Sequence, residues 1–317
     1  MGPLKQTSPH APVKATLKNL LGAKTFVVTA ETSPPVSVDG NLVLEKIAPL
    51  LGNADAVNIT DGAGARSHMA SLVTASFLVQ AGLQPILQMT VRDRNRLALQ
   101  NDLLGAGALG AHNILCLTGD HVSTGDQPNA KMVMDLDSCS LMEIARNMRD
   151  KSILPGGRPL TGAAPNFLIG AADAPRDPSD GWSTEAIRAK IMAGASFFQT
   201  QFCFDLDLVK RYIQRLESEG FLEQASFLIG IGPLASAKSA MWMNENLYGV
   251  EIPQNIINRI DRSKDQKAEG KKICAEMLGQ LSEIEGVAGV HLMGPNSEQS
   301  AAEVIQTSGI LNSRAVA

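Results

Sequence analysis

Eight short apolar runs alternate with helix-length stretches along this sequence, most of them ~30 residues apart. They predict an α/β fold: a single (β/α)8 TIM barrel with extra helices. Three observations carry that expectation. The runs are continuously apolar rather than alternating, as in Ile114–Leu117, which is the pattern of parallel strands covered on both faces. Their number and spacing match the β/α repeat of a barrel. No GxGxxG follows an early strand, which counts against the dinucleotide-binding form of the rival doubly wound sheet.

In chain order, residues 1–20, with Pro3, Pro9 and Pro12, read as a mobile lead-in, and residues 21–317 as the barrel domain. Thr25–Glu31 is the first strand. The Ser33-Pro34-Pro35 beyond it can continue neither a ladder nor a helix, so Glu31 stands at a strand end. Asp39–Leu51 has helical spacing until Pro49 disturbs its last turn. Ala56–Thr60 is the second strand, closed by Asp61-Gly62-Ala63-Gly64, and Ser67–Gln80 is a helix of small residues suited to lying close to a sheet. Gln84–Thr90 and Arg94–Leu104 form the third strand and helix. Ile114–Leu117 stops abruptly in Thr118-Gly119-Asp120, and a long loop, HVSTGDQPNAKMVMDLDS, leads to a helix over Ser138–Asp150. Loops beyond ~12–15 residues are more often functional than not.

Asn166–Ala172, Phe197–Phe204 and Ser226–Ile231 supply strands five to seven, with helices over Thr184–Met192 and Leu206–Glu217 between them. Gly232-Pro233-Leu234 and a helix over Ser236–Asn244 follow, in which Met241, Trp242 and Met243 read as packing residues. A helical section from Pro253 to Ile284, amphipathic and solvated over Lys264–Glu285, precedes the eighth strand, Gly289–Met293. A tail helix covers Ser297–Ser308.

Composition narrows the function. The chain has 317 residues, 44% of them hydrophobic, enough for one large core. A formal net charge of -4 and the lack of a long Lys/Arg block argue against a nucleic-acid surface and leave a small molecule as the expected partner. Cys116, Cys139, Cys203 and Cys274 form no CxxC pair and read as buried thiols of a cytoplasmic protein rather than a disulfide frame or zinc site. The N-terminal stretch has no apolar core, so neither a signal peptide nor a membrane anchor is expected there, and no run approaches the ~20 residues a spanning helix needs.

In a parallel barrel the ligand-facing groups are those that end the strands. Here they are Glu31, Thr60 with Asp61, Gln88 with Thr90, Asp120, Asp173, Gln199 with Gln201, and Gly232-Pro233. Glu31 and Asp120 then face one cavity, an arrangement suited to one carboxyl acting as an acid and another staying charged. Each has a structural reading as well. Glu31 can cap a helix or join a salt bridge near the proline turn, Asp120 can cap its own turn, and Gln201 can be packing inside the barrel. The glycines of TDGAGA and TGDH can simply make turns, or can let backbone amides approach a phosphate or flat ring. His68 and His121 lack a His/Cys/carboxylate cluster at ligand spacing, so no metal is expected, and no GxSxG elbow supports hydrolase chemistry.

The ordered series AETSPP, VNITDGAGA, LTGDH with GDQP, MAGASFFQTQFCFD and GIGPLASAKSAMWMNENLYGVEIP resembles the methylenetetrahydrofolate reductase family in its short bacterial form without a regulatory domain. The resemblance runs from Thr25 to about Asn296. It implies a TIM-barrel catalytic domain holding a flavin, FAD or else FMN, with hydride passing between NADH or NADPH, the flavin and the folate methylene in a ping-pong sequence. By position, Glu31 matches the general acid that protonates folate N10, and Asp120 the carboxylate beside flavin and pterin. Gln201 matches the glutamine that binds pterin and nicotinamide in turn. Thr60, Gly62 and Ala63 match the turn against the flavin, Leu117, Thr118 and Gly119 the segment along its ring and ribityl chain, and Lys190, near Ala172, a basic contact to the phosphates.

Departures stand beside these matches. Asp61, Gln88 and Ala189 occupy flavin-contact positions where better-known members carry Tyr, His and Arg, and Ser297 and Ala237 replace a folate-contacting Arg and a Phe. The resemblance therefore also admits a flavin- or folate-binding subunit fed electrons by a partner protein, or the same enzyme working mainly as a 5-methyltetrahydrofolate oxidase. A homo-oligomer is compatible with the sequence but not readable from it.

Overall fold

The computed structural model describes residues 15–313. Most of the expected lead-in, residues 1–14, lies outside them; the remainder corrects the boundary at residue 20. Leu17–Gly22 is a helix, α1, whose Thr16 side chain accepts from the Asn19 amide and whose Leu17 is fully buried.

The eight strands are β1 (Val27–Thr32), β2 (Ala56–Ile59), β3 (Pro85–Thr90), β4 (Asn113–Leu117), β5 (Leu168–Asp173), β6 (Phe197–Phe202), β7 (Ser226–Ile231) and β8 (Val287–Leu292). They are parallel and close in sequence order, β8 pairing β1 in the register Thr29↔His291. The helices between them are α2 (Asn41–Ile47), α3 (Ser71–Gln80), α4 (Arg96–Leu109), α5 (Ser138–Lys151), α6 (Glu185–Ala193), α7 (Leu206–Ser218), α8 (Ala237–Asn246), α9 (Gln254–Asp261), α10 (Gln266–Ser282) and, after β8, α11 (Glu298–Ser308) and a last turn, α12 (Ile310–Ser313). The expected barrel is the observed one, and the two long intervals hold the 152–167 connection and the extra helix α9.

Element ends moved for local reasons. α3 starts at Ser71 rather than Ser67 because the chain after β2 first makes a 3-10 turn, Ala63–Ala65. α4 starts at Arg96, where Asn95 accepts from the Leu97 and Ala98 amides, and runs on to Leu109 before Gly110 at φ +82° ends it. The continuous 253–284 section is two helices, because Asp265 caps α10 afresh. α10 buries Ile273, Met277, Leu278 and Leu281 and presents Lys and Glu outward, as its amphipathic pattern requires.

Strand geometry sorts the residues into two sets. Val28, Val57, Leu87, Ile114, Ile169, Phe198, Ile229 and Val290 face outward and pack under the helices. Val27, Ala56, Ile86, Leu115, Leu168, Phe197 and Leu228 face inward at the amino end of the barrel, where Leu17 seals them from below. Gly170 is required by this layer: a Cβ there would lie 2.3 Å from the Phe197 ring. Cys116, Cys203 and Cys274 are buried as expected, whereas Cys139, expected with them, is only partly buried on α5; burial pushes the Cys203 thiol up to about 12. No helix among the described residues is long and apolar enough to cross a membrane.

Leu17→Ala opens a cavity under the sealed layer and is expected to cost about 2–4 kcal/mol. A urea titration checks it: a midpoint equal to that of the parent chain removes the sealing role from α1.

Candidate active site

Counting upward by twos from the apolar floor brings a layer of polar side chains to the middle of the barrel: Thr29, Asn58, Gln88, Gln199 and His291, each less than a tenth exposed. Asn58 Nδ2 donates to Gln199 Oε1 at 2.6 Å, and Gln199 Nε2 donates back to Asn58 Oδ1 at 3.0 Å. Gln199 Nε2 also reaches Thr29 Oγ1 at 3.0 Å. Thr29 Oγ1 in turn lies 3.0 Å from His291 Nδ1 and 3.2 Å from the Val290 carbonyl. Buried polar groups demand such partners, and these side chains from four strands satisfy one another.

One step higher, at the rim, stands Glu31. It caps no helix; its Oε2 accepts from Gln88 Nε2 at 3.2 Å and lies 3.8 Å from His291 Nε2. Thr32 beside it donates to Glu298 Oε1 at 2.7 Å, and Glu298 pairs with Lys46 at 3.4 Å, so the end of β1 is held from outside the barrel. Thr60 follows β2 at the same rim and is 3% exposed, and its Oγ1 has no hydrogen-bond partner among the described residues. A buried hydroxyl left unpaired by the protein is a site a ligand can complete.

Asp120 sits on the same rim, in the loop after β4. Its Oδ2 accepts from the Gly64 amide at 2.7 Å, so it tethers the β2 loop instead of capping its own turn. Between the two loops lies Arg92, 3% exposed, which donates from Nη1 to the carbonyls of Gly62 at 3.2 Å and Asp120 at 3.0 Å and grips the Asp93 carboxylate at 2.8 and 2.6 Å. The glycines make turns: Gly62 has φ +65° with Arg92 Nη2 only 2.3 Å from where a Cβ would be, and Gly119 has φ +90° against Thr90 and Arg92. The Gly62 amide donates to His68 Nε2 at 2.7 Å. A phosphate cradle made of the Gly62 and Gly64 amides is thereby corrected, since both already have acceptors; Ala63 between them is exposed.

Asp61 does not join the rim. Its carboxylate accepts from the Thr90 amide at 2.8 Å, from Thr90 Oγ1 and Ser71 Oγ at 3.1 Å, and pairs with Arg94. These bonds make Asp61 a clamp joining β2, β3 and α3.

On the opposite side, an open cleft of about 1180 Å³ runs over the ends of β5 and β6 and is lined by Ala172, Asp173, Arg176, Lys190, Gln201 and Tyr248, among others. Lys190 Nζ donates to the Ala172 carbonyl at 2.7 Å, which fixes an ammonium at the mouth of β5. Gln201 Oε1 accepts from the Phe202 amide at 2.9 Å. Asp173 Oδ2 accepts from Tyr212 Oη at 2.6 Å, and burial holds its carboxyl above the ordinary aspartate range. Arg176 bonds the Tyr248 hydroxyl and lies 5.4 Å from that ring. Met241 and Trp242, expected as packing, are 47% and 54% exposed; Met243 alone of the three packs on the core. No group of three or more His, Cys, Asp or Glu placed to hold a metal occurs among the described residues.

Arg92 and His291 escaped sequence reasoning. The signal for His291 was present: a single polar residue in step with Thr29, Asn58, Gln88 and Gln199 at alternate positions of otherwise apolar runs. Arg92 gave no such signal, because its neighbours come from three separate loops.

The family model described as methylenetetrahydrofolate reductase matches residues 16–309. A probable methylenetetrahydrofolate reductase (NADPH) of Caenorhabditis elegans is 24% identical over 306 residues, 93% of this chain and 44% of that protein. Methylenetetrahydrofolate reductase 1 of Schizosaccharomyces pombe is 23% identical over 273 residues, 81% and 41% of the two. The chain thus spans less than half the length of these curated relatives. Among solved structures, a Clostridium thermocellum protein described as binding two copies of 5-methyl-5,6,7,8-tetrahydrofolic acid matches with a TM-score of 0.60 at 14% identity, over 92% of this chain and 98% of that one. EDTA monooxygenase from Chelativorans sp. BNC1 matches at 0.52 and 10% identity, over 90% and 94%. At such identities these two likenesses show the barrel fold alone.

Thr60→Val removes a hydroxyl that no residue pairs with. Thermal or urea unfolding of the ligand-free protein is expected to show stability unchanged or raised by about 1 kcal/mol; a clear loss means the hydroxyl is already satisfied.

Proposed function

This chain belongs to the methylenetetrahydrofolate reductase family, and from that premise we propose that it is a cytoplasmic oxidoreductase interconverting 5,10-methylenetetrahydrofolate and 5-methyltetrahydrofolate, with a flavin, FAD or FMN, at the strand ends and NADH or NADPH as the alternating co-substrate. The observation that carries the reading is Glu31: a carboxyl at the head of an uncharged polar layer inside the barrel, on the rim that also bears Asp120 and Gln201. The unpaired Thr60 hydroxyl and the ammonium of Lys190 are groups that a flavin's polar ring atoms and phosphates would complete. Thr60, Gly62, Ala63, Leu117, Thr118 and Gly119 would hold the ring side, and Lys190 with Ala172 the phosphate side. When bound, the flavin supplies hydride transfer between nicotinamide and folate carbon.

The remaining steps belong to the protein. Glu31 delivers a proton to folate N10. The bond from N10 to the bridging carbon breaks with its electron pair going to N10, while the N5 lone pair forms a carbon–nitrogen double bond, giving a 5-iminium cation. The Asp120 carboxylate, fixed by the Gly64 amide at 2.7 Å, favours that cation electrostatically. Gln201 hydrogen-bonds the pterin and then the nicotinamide, which take turns in one place. Water at the open rim returns a proton to Glu31 after each turnover.

Stopped-flow spectroscopy of the two half-reactions tests this. The purified protein should carry a yellow chromophore bleached by NADH or NADPH and restored by 5,10-methylenetetrahydrofolate; no bleaching by either nucleotide removes the reading. Glu31→Gln should slow the folate half-reaction by about 10²–10⁴-fold while leaving bleaching intact. Thr60→Val should weaken flavin binding about tenfold, the equivalent of one lost hydrogen bond.

A further inference from the structure

His291 is 3% exposed and takes no part in the steps above, yet it touches both the polar layer and the acid. Its protonation pattern follows from counting hydrogens at Thr29 Oγ1. That oxygen has one hydrogen to donate and two lone pairs. It has three partners within reach: Gln199 Nε2 at 3.0 Å, which can only donate; the Val290 carbonyl at 3.2 Å, which can only accept; and His291 Nδ1 at 3.0 Å. All three contacts are hydrogen bonds in one arrangement: Thr29 donates to Val290 O and accepts from Gln199 and from His291 Nδ1–H. In its neutral form the imidazole then carries its hydrogen on Nδ1 and turns a lone pair, at Nε2, toward Glu31 Oε2 at 3.8 Å.

We propose that His291 is a positioning residue for the general acid, its Nε2 accepting the hydrogen bond of the Glu31 carboxylic acid and holding that group at the mouth of the barrel. The proposal rests on the acid role given to Glu31. At 3.8 Å the two atoms stand beyond hydrogen-bond distance, and this role requires the contact to tighten when substrate enters, as hydrogen bonds around catalytic acids commonly do. Gln88 Nε2 reaches the same oxygen at 3.2 Å but can only donate, so it cannot stand in for the imidazole. The proton passed to folate comes from Glu31 and returns to Glu31 from water; His291 neither gains nor loses one over the cycle. Charged groups on the surrounding elements are engaged elsewhere: Glu298 with Lys46, Asp61 with Arg94, Asp120 with the Gly64 amide, and Asp55, just before β2 at the amino end of the barrel, with the Val28 amide.

Two measurements test the proposal. Long-range ¹H–¹⁵N spectra of imidazole-labelled protein should show His291 neutral with its hydrogen on Nδ1, and an Nε2 resonance that moves in Glu31→Gln. An Nε2–H tautomer, or a resonance indifferent to Glu31→Gln, overturns the proposal, and this result needs no folate chemistry. In stopped flow, His291→Leu should slow the folate half-reaction about 10–100-fold, with its alkaline limb moved down by about one pH unit, and leave bleaching by nicotinamide within about twofold. His291→Gln, whose carbonyl can accept, should recover part of the rate. Equal losses in both half-reactions, or an unmoved alkaline limb, assign His291 a merely structural role. A wild-type protein without any folate half-reaction defeats the acid role of Glu31 instead, and the tautomer spectra still decide what His291 does.

Discussion

A closed parallel barrel has no free strand edge, and a polar atom that points into its packed interior is costly unless another from across the barrel pairs with it. That constraint shapes this molecule. Thr29, Asn58, Gln199 and His291 come from four strands and satisfy one another; the Glu31 carboxyl joins the set at the one end where solvent reaches it. An apolar floor below and a polar layer above it make the barrel interior graded: dry at the amino end, hydrogen-bonded in the middle, open at the rim.

The rim is held by a different device. Its loops are fixed by charge and backbone polarity: Arg92 joins the carbonyls of the β2 and β4 loops, Asp120 takes the Gly64 amide of the β2 loop, and Asp61 with Arg94 ties β2 to β3. Asp120 thereby joins the loop after β4 to the loop after β2. Glycines at Gly62 and Gly119 are needed because positive φ and the nearby Arg92 leave no room for a side chain.

How much of this was legible in the sequence follows from the range of the interactions. Strand number and order were readable because continuous apolar runs are a local consequence of burial on both faces. Glu31 was readable as a strand end because two prolines stop the chain just after it. The partners of Asp61 were not readable for the converse reason: adjacency to a strand end puts a residue near the rim, but its side chain pairs with Arg94, 33 positions away. Arg92 was invisible for the same cause. Leu17 was missed although Leu20 and Leu21 stand at i+3 and i+4, because the helix they mark is only six residues long and follows a proline-containing stretch.

The leucine stopper at the floor has a consequence for exchange with the medium. With the amino end closed by apolar side chains, a solvent deuteron bound for the imidazole of His291 has to travel in past the carboxyl of Glu31. The barrel is a blind alley with a titratable doorkeeper, and the isotopic history of its interior is written at a single threshold.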